Sequence, residues 1–349
     1  TELVTFGSVR DINSERRLNM STRLTRQIIS LLAVLFVIIF FTISNHGCKE
    51  YGDIDTLPRF TQHCWDPTWS PDGKTIAFGY VPWIKVEGDT FIEKWDSAGI
   101  YFIDADGKNR RPFLIMAEIR PFLALPDFSP DGTWLVFTGG PGGTENLHKA
   151  RVQGDSIIQL TFNNYRNLGA RWSPDGKKIL FGRTDAPLDS SGLCLMDADG
   201  LNNKVINQEP AAECGDFFPN YWIAFLGWVK NSRGLWITDT IGSNKININI
   251  NRYADHDGGI SCSPDGSKIL FCIYNEEEIQ LEIWVMYTDG SNPKMLCIDG
   301  AYPYWSPDGS KIVYVKYNFG KRAIEYPGYG ELWVMDADGS NQRQLTYPD

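Results

Sequence analysis

The sequence predicts an all-β fold in which six four-stranded antiparallel blades surround a central axis. Three observations support this prediction: a recurring Ser-Pro-Asp-Gly turn, a second recurring Asp-rich turn downstream of it, and short apolar runs between the turns. Short runs rich in β-branched and aromatic residues, bounded by Gly, Asp and Pro, are typical of strands. The 349 residues are ample for one large β domain.

The last unit, residues 301–346, shows the pattern most completely. Its four apolar runs, at 302–305, 311–315, 332–335 and 342–346, are joined by two short turns and one longer loop. In the Ser-Pro-Asp-Gly turn, Pro presets φ and Gly accepts a positive φ. A single such sheet leaves both faces wet. Neighbouring units stacked around an axis cover those faces, as in a propeller.

Counting the turns predicts the number of blades. Five copies of Ser-Pro-Asp-Gly place their Asp at Asp72, Asp131, Asp175, Asp265 and Asp308, with gaps of 59, 44, 90 and 43 residues. The gap of 90 predicts a further unit with an eroded turn. Residues 235–244 align without gaps on 332–341, and Asn220 takes the Asp position in a hairpin that is one residue short. The sequence therefore predicts six blades.

The repeat resembles that of a known family. Trp-Ser-Pro-Asp-Gly-Lys-x-Ile-x-Phe at 172–181 is followed by Met-Asp-Ala-Asp-Gly-x-Asn at 196–202, and 69–78 with 103–109 follow the same pattern. This is similar to the TolB-type WD-like propeller repeat, and the resemblance covers roughly residues 57–349. It implies the propeller fold. It does not imply one function, because such repeats serve scaffolds, peptidase gating domains and some carbohydrate-active enzymes.

The amino-terminal region predicts export. The first methionine is Met20, so we interpret residues 1–19 as an upstream extension. Arg23 and Arg26 then precede an apolar run at 28–43, a pattern typical of a secretory signal. We expect residues 20–47 to be a signal peptide or membrane anchor helix, 48–56 a linker, and 57–349 the propeller.

Cys48 follows Gly47 directly and resembles the lipid-attachment cysteine of bacterial lipoproteins. An uncleaved anchor and simple secretion are the alternatives. All three place the propeller in the cell envelope, on the periplasmic side or at the cell surface. Only about ten residues separate Cys48 from the propeller, so we expect the amino-terminal α/β domain of the TolB family to be missing. That expectation weakens any transfer of the Tol-system role.

Charge and cysteine usage narrow the functional classes. A net charge of −10 argues against nucleic-acid binding, which needs a basic surface, and we expect a monomer without a cofactor. The six remaining cysteines permit up to three disulfides but contain no Cys-x-x-Cys spacing. Cys262 is predicted to face Lys268 and not Cys272, and buried free thiols are favoured. The six are Cys64, Cys194, Cys214, Cys262, Cys272 and Cys297.

The predicted blades present two faces. The turns between the first and second strands and between the third and fourth strands form what we call the turn face; the longer loops form the insertion face. Loops 80–99 of blade one and 317–330 of blade six should be neighbours, and exposed aromatic side chains beside charges are typical of recognition surfaces. An alternative is that the loops cap each other. The predicted binding residues are Trp83, Trp95, Phe319, Tyr326 and Tyr329.

Metal and catalytic sites receive less support. His63 and His256, with Asp255 and Asp257, form a possible metal site near the axis of the insertion face, although blades one and five are not adjacent. The Asp-x-Asp-Gly turns look superficially like cation ligands, but the turns need those carboxylates for local hydrogen bonds. No Gly-x-Ser-x-Gly nucleophile motif is present.

The leading hypothesis is a non-enzymatic, envelope-anchored propeller that binds a protein or glycan through the aromatic loops. The first alternative is a carbohydrate-active lyase or hydrolase that uses an axial pocket. The second is the propeller of a prolyl-oligopeptidase-like peptidase that lacks its catalytic domain.

Overall fold

The computed structural model describes residues of the propeller, beginning at Gln62. The described residues all lie within one compact unit, Pro58–Asp349. They are residues 62–85, 91–93, 95–116, 124–140, 145–187, 190–208, 214–229, 232–248, 259–275, 280–317 and 330–347. The predicted signal and Cys48 therefore lie outside them. No helix within these ranges is long and apolar enough to cross a membrane.

Six antiparallel sheets form the blades, as the sequence predicts. Blade one contains β1 (Gln62–Trp69), β2 (Thr75–Lys85), β4 (Gly99–Asp104) and β5 (Arg111–Ile115), and β3 (Phe91–Glu93) pairs with the end of β2. A 3-10 helix, Trp95–Ser97, precedes β4. Blade two contains β6 (Asp127–Phe128), β7 (Trp134–Gly139), β8 (Asn146–Arg151) and β9 (Ile157–Gln159).

The other four blades follow the same meander. Blade three contains β10 (Arg166–Trp172), β11 (Lys178–Thr184), β12 (Gly192–Asp197) and β13 (Lys204–Asn207). Blade four contains β14 (Cys214–Phe217), β15 (Ile223–Val229), β16 (Ser232–Thr238) and β17 (Lys245–Ile248). Blade five contains β18 (Ile260–Cys262), β19 (Lys268–Asn275), β20 (Gln280–Tyr287) and β21 (Lys294–Ile298). Blade six contains β22 (Gly300–Trp305), β23 (Lys311–Lys316), β24 (Glu331–Asp336) and β25 (Arg343–Gln344).

The Ser-Pro-Asp-Gly turns are held by their own side chains. In blade six, Ser306 Oγ donates to Asp308 Oδ1 at 2.6 Å, and the Ser310 N–H donates to the same oxygen at 3.0 Å. Gly309 has a φ of 69° and donates its N–H to Ser306 O. These hydrogen bonds lower the pKa of Asp308 to about 2. The turn carboxylates are thus used locally, as predicted.

Blade four confirms the eroded copy. The Trp222 N–H donates to Asn220 Oδ1 at 3.2 Å, as the corresponding backbone N–H does in the other turns. Tyr221 occupies the glycine position with a φ of 67°, and Phe218 and Trp222 close a hairpin that is one residue short.

The core lies between blades. Four apolar clusters each join two consecutive blades, from blade one to blade five, and the largest cluster joins blades five, six and one. Every blade keeps its four strands in chain order, so the strands of the described ranges close the ring without exchange between blades. At the closure the Cys64 N–H donates to Gly330 O at 3.1 Å, and Arg343 donates to Ala105 O at 3.0 Å.

Five cysteines whose side chains the structure describes are buried thiols that form no disulfide: Cys64, Cys194, Cys262, Cys272 and Cys297. Burial raises the pKa of Cys64 to about 12 and that of Cys194 to about 11. The predicted register was wrong by one residue: Cys262 lies opposite Ile269, because Ser263 and not Cys262 pairs with Lys268 at the turn. The inference that Cys262 and Cys272 form no hairpin disulfide is confirmed.

Candidate functional site: the axial cavity

In five of the six blades, the chain at or just before the first strand, which lines the axis, contains a local distortion. In five blades the residue four positions before the first residue of the turn has a positive φ, and the strand pairing shifts there in blades one, three and six. Such bulges re-aim the following side chains. The five residues are Asp66, Leu125, Gly169, Gly259 and Tyr302.

Two residues before each turn, the six blades contribute one side chain each to a polar ring around the axis, which we call the axial ring. Contacts between blades that are not neighbours show that these side chains converge. The Tyr304 hydroxyl of blade six donates to Asp127 Oδ1 of blade two at 2.9 Å. The guanidinium carbon of Arg171, in blade three, lies 5.3 Å from the ring centroid of Tyr304. The ring consists of Thr68, Asp127, Arg171, Asp216, Ser261 and Tyr304.

The carboxylates of the axial ring and the hydroxyls of Thr68 and Ser261 also join consecutive blades. Asp127 Oδ2 accepts the Trp172 N–H at 2.8 Å, and Thr68 Oγ1 donates to Asp127 Oδ1 at 3.3 Å. Asp216 Oδ2 accepts the N–H of Cys262, in the next blade, at 2.8 Å. In blade five, Ser261 Oγ accepts the N–H of Trp305 at 3.4 Å. The ring therefore satisfies backbone groups that a strand edge at the axis leaves unpaired.

Burial and mutual charge shift the ionisation of the axial ring. Burial raises the pKa of Asp127, against the lowering effect of Arg171, and raises the pKa of Asp216 to about 7. Burial by itself lowers the pKa of Arg171, but the acidic groups around it, Asp127 foremost, together outweigh burial and raise the pKa. Burial and the Asp127 charge raise the pKa of the Tyr304 hydroxyl well above its ordinary value. Arg171 thus stays cationic beside carboxyls that hold their protons unusually tightly.

A cavity of about 200 Å³ lies above the axial ring and opens on the turn face, and we call it the axial cavity. Its wall includes the residue that follows the ring residue in each blade: Trp69, Phe128, Trp172, Phe217, Cys262 and Trp305. The indole N–H groups of Trp69, Trp172 and Trp305 are buried and have no hydrogen-bond partner among the described residues. The rim is formed by Pro71, Pro130, Pro174, Pro264 and Pro307.

The two carboxylates of the axial ring are engaged in structural hydrogen bonds. Asp127 accepts three hydrogen bonds and Asp216 accepts two from backbone N–H groups, so both carboxylates already have structural roles. No group of three or more His, Cys, Asp or Glu side chains that could hold a metal ion occurs in the part of the chain that the structure describes. A rigid pocket with aromatic walls and few polar groups is typical of a binding site.

Of the site residues predicted from the sequence, the structure describes the backbone of Trp83, Trp95 and His63, and the others lie outside the described residues. The backbone of Trp83 lies in β2 opposite Glu93, and Trp95 begins the 3-10 helix. Phe319, Tyr326 and Tyr329 lie outside the described residues. His63 lies within β1, opposite Val81. His256, Asp255 and Asp257 lie outside the described residues, so convergence of that set stays a prediction.

Sequence reasoning missed the axial ring, although a signal for it is present. All six ring residues lie two positions before the turn, and all six have polar or charged side chains. In an alternating strand that position is one of several that can face inward. The bulge decides which side chains of the strand face the axis, and the local amino-acid composition does not predict the bulge.

Comparison with known proteins agrees with the architecture. A family model described as the TolB beta propeller domain matches residues 50–253. An uncharacterized protein of Agrobacterium fabrum (strain C58) is 32% identical over 145 residues, which cover 40% of this chain and 44% of that protein. The Tol-Pal system protein TolB of Anaeromyxobacter sp. (strain K) is 37% identical over 111 residues, covering 32% of this chain and 24% of the relative. The chain spans less than half the length of these relatives.

Two solved structures share the fold. TolB from Acinetobacter baumannii superimposes with a TM-score of 0.55 at 20% identity, covering 70% of this chain and 57% of that one. A putative TolB from Agrobacterium tumefaciens gives a TM-score of 0.58 at 22% identity, covering 68% of this chain and 84% of that one.

Proposed function

The chain belongs to the TolB beta propeller domain family, and on that premise we propose that it is a non-enzymatic envelope protein that binds a protein partner at the axial cavity. The observation that carries the proposal is the axial ring. Five of the six ring side chains make hydrogen bonds to another blade below the cavity, and Arg171 contacts the Tyr304 ring, which supports a preformed recess at the axis. Preformed sites lose little entropy on binding.

The lining of the axial cavity suits a segment of protein. Trp69, Trp172 and Trp305 supply flat apolar walls, and the proline rim is rigid because the pyrrolidine ring fixes φ. Tryptophan in a desolvated pocket is typical of residues that dominate binding energy. The TolB relatives are named as proteins of the Tol-Pal system, which supports a protein partner.

Site-specific photo-crosslinking in the native envelope tests the proposal. A photoreactive residue is placed at Pro130 or Pro174 on the rim, at Trp83 or Tyr326 in the insertion loops, and at Ile246 on the outer edge as a control. We expect a discrete protein adduct from the rim and none from Ile246. Adducts from Trp83 or Tyr326 alone would move the site to the insertion face. Adducts from neither face would overturn the binding function.

A further inference from the structure

Blade four departs from the other five blades on the turn face. Its first turn is Phe218-Pro219-Asn220-Tyr221, where the other blades have Ser-Pro-Asp-Gly. Its second turn has Ile241 before the glycine, where the other blades have Asp106, Gln153, Asp199, Asp289 and Asp338. In the first turn an aromatic residue thus replaces glycine, and in the second an aliphatic residue replaces a polar one.

Both replacements are exposed to solvent. Tyr221 is 43% exposed and Ile241 is 66% exposed. In the second turns of the two flanking blades, Leu201 and Tyr287 are also exposed, at 63% and 42%. The turns of blades six, one and two, which the structure describes in full, expose no aromatic, Leu, Ile or Met side chain to this extent. The apolar exposure of the turns is therefore concentrated on blades three to five, with blade four at the centre.

The carboxylates of the first turns surround the rim of the axial cavity, and this ring of charge is interrupted at blade four. Hydrogen bonds within each turn, which outweigh burial at Asp175, lower the pKa of the five carboxyls, so they are ionised at neutral pH. They belong to Asp72, Asp131, Asp175, Asp265 and Asp308. Asn220 of blade four is uncharged. A chain segment that leaves the cavity over blade four therefore meets no carboxylate of this ring.

The rim of the axial cavity is also incomplete at blade four. Prolines of the other five blades line the cavity, whereas Pro219 does not. In blades two, three and six, a Cβ added at the turn glycine would lie 3.6 to 3.8 Å from the rim proline of the preceding blade. Tyr221 occupies this glycine position in blade four. By the same geometry, its side chain begins beside the rim proline of blade three, Pro174.

The backbone conformation of Tyr221 is one that favours glycine. Its φ is 67°, and the turn glycines of the other blades have φ of 69° to 72°. A tyrosine in this left-handed region is strained relative to glycine. Strained residues cluster at binding sites, where the surrounding contacts hold them. A strained and exposed aromatic side chain at the edge of a cavity is therefore a candidate contact for the segment that enters the cavity.

We propose that the protein segment bound in the axial cavity leaves it across blade four, where it packs apolar side chains on Tyr221 and Ile241. This inference rests on the proposed function and adds the path and the chemistry of the bound segment. The incomplete rim allows the path, and the missing carboxylate removes a charge that would disfavour apolar groups. The exposed side chains supply the contact area. The part of the segment that crosses blade four is expected to be apolar.

Site-specific photo-crosslinking of the full chain in its native envelope tests the path. Benzoylphenylalanine is placed separately at Pro174, Tyr221 and Ile241, and at Asp338, the blade-six equivalent of Ile241, as a matched control. Mass spectrometry identifies the crosslinked residues of the partner. We expect the first three sites to capture the same protein through one contiguous apolar segment, and Asp338 to capture none of it.

Substitutions that restore the residues of the other blades provide a second readout. Tyr221→Gly and Ile241→Asp should each reduce the yield of the Pro174 adduct about tenfold, because each removes the burial of a large side chain in the complex. Tyr221→Gly also relieves a positive φ, so a reduced yield in this variant reports a lost contact and not unfolding. Asp338→Ala is the control and should leave the yield unchanged.

The outcomes distinguish a failure of the path from a failure of the proposed function. Adducts from Pro174 without adducts from Tyr221 and Ile241, equal yields from Asp338 and Ile241, or a Pro174 yield that neither substitution reduces would overturn the path alone. The absence of adducts from every rim position would overturn both. Capture of a second copy of this chain at Tyr221 or Ile241, or of a protein different from the one captured at Pro174, would also overturn the path.

Discussion

The contribution of a single residue to the stability of this propeller depends on its neighbours, and the turn glycines show this directly. Gly107 and Gly154 are at equivalent positions, with φ of 90° and 82°. Any side chain at either position is strained by the positive φ, at a cost of about 1 kcal/mol. Only Gly107 also faces a neighbouring backbone, with Leu345 O at 3.0 Å from an added Cβ.

Gly107→Ala should therefore destabilise the protein more than Gly154→Ala. We expect about 1 kcal/mol for Gly154→Ala and at least about twice that for Gly107→Ala, because Leu345 must also shift. Urea unfolding of both variants measures the difference. Equal losses would show that the turn of blade one does not pack on blade six as closely as the structure has it.

The ionisation of Asp216 should make the free energy of unfolding depend on pH. Burial raises its folded pKa to about 7 from an ordinary value of 3.8, so the folded state holds the proton more tightly than the unfolded chain. Stability must then fall as pH rises from about 4 to about 7. The turn carboxylates of Asp265 and Asp308, with pKa values of about 2, titrate below this window.

Asp216→Asn should remove part of this pH dependence. Between pH 5 and pH 8 we expect the variant to lose less stability than the wild-type protein, by an amount on the order of a few kcal/mol. Chemical denaturation across this range measures it, and Asp155→Asn, at an exposed turn position, is the control. Parallel curves for wild type and Asp216→Asn would contradict the assigned direction of the pKa shift.

At the scale of the element, the first hairpin of each blade depends on one acceptor at the Asp position. Asp308 accepts from Ser306 Oγ and from the Ser310 N–H, whereas in blade four Asn220 keeps only the backbone bond. An amide oxygen is thus sufficient for the backbone part of this turn. The serine contact is absent in blade four because Phe218 occupies the position of Ser306.

Asp308→Ala should lower the free energy of unfolding by about 1 kcal/mol, while Asp308→Asn should retain roughly half of the effect, because the amide still accepts one hydrogen bond. The comparison is made by urea unfolding at pH 7. If the Asn variant were as unstable as the Ala variant, the negative charge of Asp308, and not its hydrogen-bond acceptor, would be what stabilises the turn.

At the scale of the whole molecule, the ring is held in two places: between neighbouring sheets and across the axis. The sheets close without exchanging a strand, so apolar clusters between blades carry the closure. The Tyr304 to Asp127 bond adds a link between blades six and two, which are not neighbours. This link joins the two sides of the ring that flank blade one.

Tyr304→Phe should weaken the ring by about 1 to 2 kcal/mol, since it leaves the buried Asp127 with one donor fewer. It should also lower binding at the axial cavity if the recess needs a fixed floor. Thermal unfolding and the crosslinking yield from Pro174 measure the two effects. An unchanged melting temperature would mean that the link across the axis contributes nothing to closure.

The sequence alone determined the number of blades, the strand order and the turn chemistry, because these depend on local patterns: a Pro-Asp-Gly turn, a short apolar run and their spacing. Asn220 could even be placed in the eroded copy. The sequence also predicted that the turn carboxylates accept hydrogen bonds from the local backbone.

Only the tertiary structure decided which side chains meet. Asp127 and Tyr304 are 177 positions apart, and their bond exists because a bulge with positive φ at residues such as Leu125 and Tyr302 turns the strand toward the axis. Neither residue is a glycine, so composition did not reveal the bulge. The free space beside Gly154 is likewise a property of two blades together. Local patterns fix elements, whereas sites arise where distant elements pack.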